Sequence, residues 1–174
     1  MKIALAADHA GFTCKDHLAT ILRKAGHEVL DLGTHSSVAV DYPDFGFAVG
    51  EAVATGVAER GIVVCGSSIG ISIAANKVTG VRCAAVFEPL SAELARRHND
   101  VNVIALSERL SGSEMTERLL EIFLTTPFEG GRHAERVAKL SDYNAAAQTK
   151  ARADVARGEV TGAETPASFL KGSV

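Results

Sequence analysis

The sequence predicts a three-layer α/β/α sandwich built on a five-stranded parallel sheet, and three observations carry that expectation. Short apolar runs alternate five times with amphipathic stretches over roughly the first 125 residues, the pattern of βαβ units. The run Ile62-Val63-Val64 is β-branched and apolar throughout, as a strand covered on both faces must be. Small or polar turn residues, such as Asp8-His9-Ala10-Gly11 and Gly66-Ser67-Ser68, follow the strand runs and lead into helices.

Taken in order, Lys2 to Ala7 is the first strand. Cys14, Leu18, Ile21, Leu22 and Ala25 then recur at helical spacing, with Lys15, Asp16, Arg23 and Lys24 on the other faces, and Gly26 is placed to end the helix. Glu28 to Leu32 is the second strand, stopped by Gly33. Thr34 to Asp44 is expected as a polar loop, and Phe45, Ala48, Val49, Ala52 and Val53 form one face of the next helix. The third strand and a helix from Ile69 to Lys77 follow. Val81 to Phe87 is expected as the fourth strand, Pro89 to His98 as a helix with proline in its first turn, and Val101 to Leu106 as the fifth strand. Glu114 to Leu124 is a helix, and Gly130-Gly131 precedes a basic helix beginning at Arg132. Right-handed crossovers make this a doubly wound, Rossmann-like domain whose ligand crevice lies at the carboxyl ends of the strands. The domain is expected over residues 1–143. Residues 144–174 turn to Ala, Gly, Thr and charge, and are expected as an extension, helical at first and then a loose tail.

The chemistry centres on Cys65-Gly66-Ser67-Ser68-Ile69-Gly70. A strand, a tight Gly/Ser turn and a helix start form an anion cradle, because the first helical N–H groups have no intrahelical partner. A thiol facing a helix start is expected to ionise more readily than a free one. The opposing view is that Cys65 is a small core hydrophobe, as cysteines beside β-branched strands commonly are. No Gly-Lys-Ser/Thr follows the turn, so it is no P-loop. No second cysteine lies three residues away, which excludes a dithiol redox motif. Ile71 stands where a cysteine phosphatase would need arginine.

Bulk properties narrow the class. The 174 residues are 47% apolar and 22% charged with net charge −3, values of a globular protein with no general basic face for nucleic acid or membrane. Three widely spaced cysteines fit a reducing compartment, and no signal peptide or membrane-spanning stretch is read, so the expected location is cytoplasmic. Further candidates are individually modest. Asp8-His9 suits a turn or cap as well as a site. His98-Asn99 suits helix closure, and Arg132 with Arg136 suits a solvated face as well as a phosphate. Arg109 follows the fifth strand at the sheet edge where ligands bind. Apart from the arginine helix, these candidates are expected at or near one edge of the sheet.

Together, Ala7-Asp8-His9-Ala10-Gly11, Asp41-Tyr42-Pro43, the run from Cys65 to Lys77, Arg96-Arg97-His98-Asn99-Asp100 and Gly131-Arg132-His133 resemble the ribose-5-phosphate isomerase B family, which includes galactose-6-phosphate isomerase subunits. The resemblance spans residues 1–143. It implies an aldose–ketose isomerase of sugar phosphates, working through an enediolate with neither metal nor cofactor. It implies Cys65 as the base, His98 as the ring opener, and Asp8 and Ser67 as its polar helpers. Backbone N–H groups from Gly66 through Ser68 and Ile69 to Gly70 would hold the oxyanion. His9, Arg109, Arg132 and Arg136 would hold the phosphate, and Tyr42 and Asn99 the sugar. The family implies a homodimer with shared active sites, with a dimer of dimers as the alternative assembly. Ribose 5-phosphate is the expected substrate, with a four-carbon erythrulose phosphate or a six-carbon sugar phosphate as alternatives and a non-catalytic phosphosugar-binding module as the competing class. Many relatives carry Thr-Gly where this chain has Ser67-Ser68, so Ser68 is expected to add a side chain to the cradle.

Overall fold

Parallel strands stacked edge to edge organise the chain, which a computed structural model describes for residues 1–143 and Arg157. The expected extension over 144–174 otherwise lies outside the described residues. The elements are β1 (Lys2–Ala7), α1 (Phe12–Lys24), β2 (Glu28–Asp31), α2 (Tyr42–Ala54), β3 (Arg60–Cys65), α3 (Ile69–Ala75), β4 (Cys83–Ala85), α4 (Pro89–Asn99), β5 (Val103–Ser107), α5 (Ser113–Thr125) and α6 (Arg132–Asp142). The sheet order is β2-β1-β3-β5-β4, with every pair parallel. Register sets Ala7 beside Val64 and Cys65 beside Ser107, which aligns the carboxyl ends of β1, β3 and β5.

Successive strand side chains point to opposite faces, so one sheet supplies two cores. Ile3, Leu5, Ile62, Val64, Ile104 and Leu106 pack with Leu18, Leu22, Leu119 and Phe123 on one side. Ala4, Ala6, Val63, Val103 and Ala105 pack with Val49, Ala52, Ile71 and Ala75 on the other. The second core is built from small residues, so α2 and α3 lie close. A Cβ on Gly46 would stand 2.7 Å from Ala74 Cβ and 2.8 Å from the Ile71 carbonyl oxygen. Only glycine permits that approach, and it lays α2 directly against α3.

Four details depart from the sequence expectation. Helix α2 begins at Tyr42 rather than Phe45, because Pro43 is tolerated in a first turn. Strand β4 shrinks to three residues, having a partner on one side only. Helix α3 stops at Ala75, where the Asn76 side chain bridges to β4: its Nδ2 donates to the Cys83 carbonyl and its Oδ1 accepts from the Cys83 N–H, each at 2.8 Å. Lys15, expected on an outer face of α1, is fully buried, its Nζ donating to both Asp31 oxygens at 2.8 and 2.7 Å. Among the described residues no helix is long and apolar enough to cross a membrane.

Candidate active site

The aligned strand ends open into a cavity of about 290 Å³ lined by Asp8, His9, Ala10, Tyr42, Cys65, Gly66, Ser67, Gly70 and Arg109. Cys65 closes β3 and is 5% exposed. The first intrahelical bond of α3 runs from the Ser72 N–H to the Ser68 carbonyl, 3.1 Å. The N–H groups of Ile69, Gly70 and Ile71 precede it and have no carbonyl one turn back. A thiol, a hydroxyl on Ser67 and a set of backbone donors thus share one small volume.

The loops around this cradle are fixed by their own hydrogen bonds. Asp8 Oδ1 accepts from the N–H groups of Ala10 and Gly11, both at 3.0 Å, so Asp8 shapes the turn while lining the cavity. His9 is anchored through Nδ1, 3.2 Å from the Val40 N–H and from the Val40 carbonyl, which leaves Nε2 as the nitrogen available to a ligand. Arg109 N–H donates to the Gly66 carbonyl at 3.1 Å, and its guanidinium lies across Gly66, where a Cβ would meet Arg109 Cζ at 3.2 Å. The Tyr42 ring likewise covers Gly70, 2.7 Å from where a Cβ would be. Ser107, which sequence reading missed, is fully buried; its hydroxyl donates to the Gly66 carbonyl at 2.7 Å and accepts from the Leu110 N–H at 3.0 Å. A serine ending an apolar strand gave no signal of that role.

Ser68 is not among the residues that line this cavity. It is fully buried at φ 63°, and its Oγ donates to the Ser67 carbonyl at 2.5 Å. Ile69, at the start of α3, is 53% exposed.

The remaining candidates gather elsewhere. Helix α4 leaves the carboxyl end of β4 and returns to the amino end of the parallel β5, so His98 and Asn99 sit at the opposite end of the sheet from Cys65. Five residues of β5 at about 3.3 Å each separate the two ends by roughly 16 Å. The expectation of one shared edge therefore fails within a single chain. At this amino end α6 starts after Gly130 and Gly131, both at positive φ, and exposes Arg132 and Arg136. His98 stacks on His133 with ring centroids 4.2 Å apart and planes 3° from parallel. Glu129 Oε2 lies 3.6 Å from Nε2 of each. Burial, and then the charge of His98, hold the His133 pKa below the usual histidine range. The Arg97 guanidinium pulls Glu129 below the usual carboxylate range.

The run Arg96 to Asp100 explains how His98 is presented. Arg96 is buried, donating to Asp100 Oδ1 at 2.9 Å and to the Val101 carbonyl at 2.5 Å. Asp100, the αL cap of α4, also accepts from Arg82 at 2.8 Å. Ligand atoms of His98, Glu129 and His133 lie within 4.8 Å of one another. Parallel rings, however, send their Nε2 lone pairs side by side instead of converging on one ion, so the arrangement does not fit a metal centre.

A larger cavity of about 480 Å³ is lined by Cys14, His17, Glu108, Ser111 and Glu117. Its acidic lining repels phosphate, and burial with neighbouring Glu108 pushes the Cys14 thiol up to about 12. Burial pushes the Cys83 thiol equally far, to about 12. Neither thiol ionises near neutral pH.

Comparison with known proteins identifies the family. Residues 3–140 match the Ribose/Galactose Isomerase family. The chain belongs to that family. It is 44% identical over 140 residues to ribose-5-phosphate isomerase B of Escherichia coli, covering 80% of this chain and 94% of that protein. The structure of Clostridium thermocellum ribose-5-phosphate isomerase B superposes with a TM-score of 0.82 at 46% identity, over 87% of this chain and 99% of that one. The Mycoplasma genitalium ribose-5-phosphate isomerase B with bound ribulose-5-phosphate gives 0.79 at 38% identity, over 82% and 95% of the two chains.

Proposed function

We propose that this chain interconverts ribose 5-phosphate and ribulose 5-phosphate, as a cytoplasmic enzyme of the pentose phosphate pathway. The observation that carries the reading is the cavity that sets Cys65 beside the backbone donors of α3, with His9 and Arg109 at its rim. Cys65 takes the proton from C2 of the open-chain aldose and returns it to C1. The N–H groups from Gly66 to Gly70 stabilise the enediolate oxygen while it carries charge. His98 opens the furanose ring with help from Asp8 and Ser67, and Tyr42 and Asn99 hold sugar hydroxyls. His9, Arg109, Arg132 and Arg136 grip the phosphate, guanidinium forks suiting its planar multidentate recognition. The chemistry calls on neither metal nor cofactor.

A homodimer follows from this assignment. One chain holds Cys65 and His98 at opposite ends of its sheet, so a working site takes its cradle from one subunit and its His98–Arg132–Arg136 face from the other. Exposed Ile69 and Ile73, one turn apart on α3 beside the cradle, support apolar contact with a second copy.

The test is aldose–ketose turnover on ribose 5-phosphate, allose 6-phosphate, galactose 6-phosphate and erythrulose phosphates, with Cys65→Ala as control. Ribose 5-phosphate is expected to dominate, and Cys65→Ala to abolish turnover while phosphate still binds. Preference for a four- or six-carbon sugar would correct the substrate. Silence on every sugar would favour the binding module.

A further inference from the structure

The stacked histidines and Glu129 have a role that the assignment of His98 leaves open. Arg97, next to His98 on α4, donates through Nε (2.8 Å) and Nη2 to Glu129 Oε1, and through Nη1 to Glu93 at 2.7 Å. The Glu129 N–H donates back to the Arg97 carbonyl at 3.0 Å. One carboxylate oxygen is therefore fixed by arginine, and the other is held 3.6 Å from both imidazole Nε2 atoms. That spacing is beyond hydrogen-bond range but within ion-pair range. His133 is buried against one face of the His98 ring and restricts its tilt.

Ring opening makes a specific demand on His98. Its lone-pair nitrogen takes the proton from the anomeric hydroxyl, the bond from C1 to the ring oxygen breaks as the C1 carbonyl forms, and the imidazolium returns that proton to the ring oxygen. The tautomer must be set beforehand, and in a histidine the partner of one nitrogen sets the state of the other. We propose that Glu129, clamped by Arg97 and backed by the His133 ring, is a positioning residue that holds the His98 proton on Nε2 and leaves Nδ1 to open the sugar ring. This inference rests on the reading of His98 as ring opener.

The test separates ring opening from proton transfer. Ribulose 5-phosphate is open-chain, so enzyme-catalysed exchange of its C1 hydrogen with deuterium, followed by NMR, needs Cys65 but no ring opening. Glu129→Ala is expected to lower kcat on cyclic ribose 5-phosphate about tenfold or more while leaving that exchange within about twofold. A parallel fall in both rates, or no change in either, would overturn the inference. His98→Ala is measured alongside. If it spares turnover of the cyclic sugar, the ring-opener reading itself fails; if it splits the two rates and Glu129→Ala does not, only the positioning role fails. Glu129→Gln, of equal size, repeats the measurement should the alanine variant misassemble.

Discussion

Ser68 and Asp100, at φ 63° and 45°, are the non-glycine residues at positive φ among those described, and each marks one half of the proposed site. A side chain in the left-handed region costs about 1–2 kcal/mol, so each must be held by its surroundings. Asp100 is held by Arg82 and Arg96, and the cap it forms ends α4 just after His98. Ser68 is held by burial and by its hydroxyl on the Ser67 carbonyl. Because that hydroxyl is buried on the Ser67 carbonyl and Ser68 does not line the cavity, Ser68→Gly is expected to leave kcat and KM on each sugar phosphate within about twofold. Stability should move by less than about 1 kcal/mol, since relief of strain offsets the lost hydrogen bond and the greater freedom of the unfolded chain. Steady-state kinetics on five- and six-carbon substrates check this; a shift in sugar preference would return Ser68 to the specificity determinants.

At the scale of elements, α1 is joined to β2 by an ion pair inside the domain. Lys15 Nζ meets both oxygens of Asp31, whose Oδ1 also accepts from the Gly33 N–H at 3.0 Å. Removing the lysine leaves a carboxylate, itself only 21% exposed, without its cation. Lys15→Ala is therefore expected to cost about 3 kcal/mol, read as a lower midpoint in urea unfolding with little change in slope. A loss below about 0.5 kcal/mol would mean that water replaces the ammonium. This pair also shows where sequence reading stops. Periodicity located each strand and helix because Ile62-Val63-Val64, or Leu18 with Leu22, repeat at the spacing of a buried face. It put Lys15 outside because lysine is polar, while the partner that permits burial lies sixteen positions on. Arg97 and Glu129 are joined across an even longer stretch of chain, so Glu129 carried no local signal. His133 stood within a recognised motif, yet nothing beside it in sequence announced the ring on which it stacks.

At the scale of the whole molecule, crossover direction decides what one chain can do alone. Every strand is parallel, so each helix that connects two strands returns its C-terminus to the amino end of the sheet. Cys65 ends a strand and His98 lies in the last turn of a helix; the topology that makes both possible also keeps them apart. A two-fold dimer removes the separation if the cradle of each subunit meets the basic face of the other, giving two composite sites. Mixed subunits test this directly. Cys65→Ala and His98→Ala homodimers should each be inactive on ribose 5-phosphate, every site lacking either base or ring opener. Unfolded together and refolded as an equal mixture, half the dimers are mixed. In each of these one site keeps both wild-type residues, so about a quarter of wild-type activity should return. Activity that stays at the level of the parent variants, from dimers shown by differential tagging to have exchanged, would place Cys65 and His98 in one chain's site and require a rearrangement of α4 across the sheet.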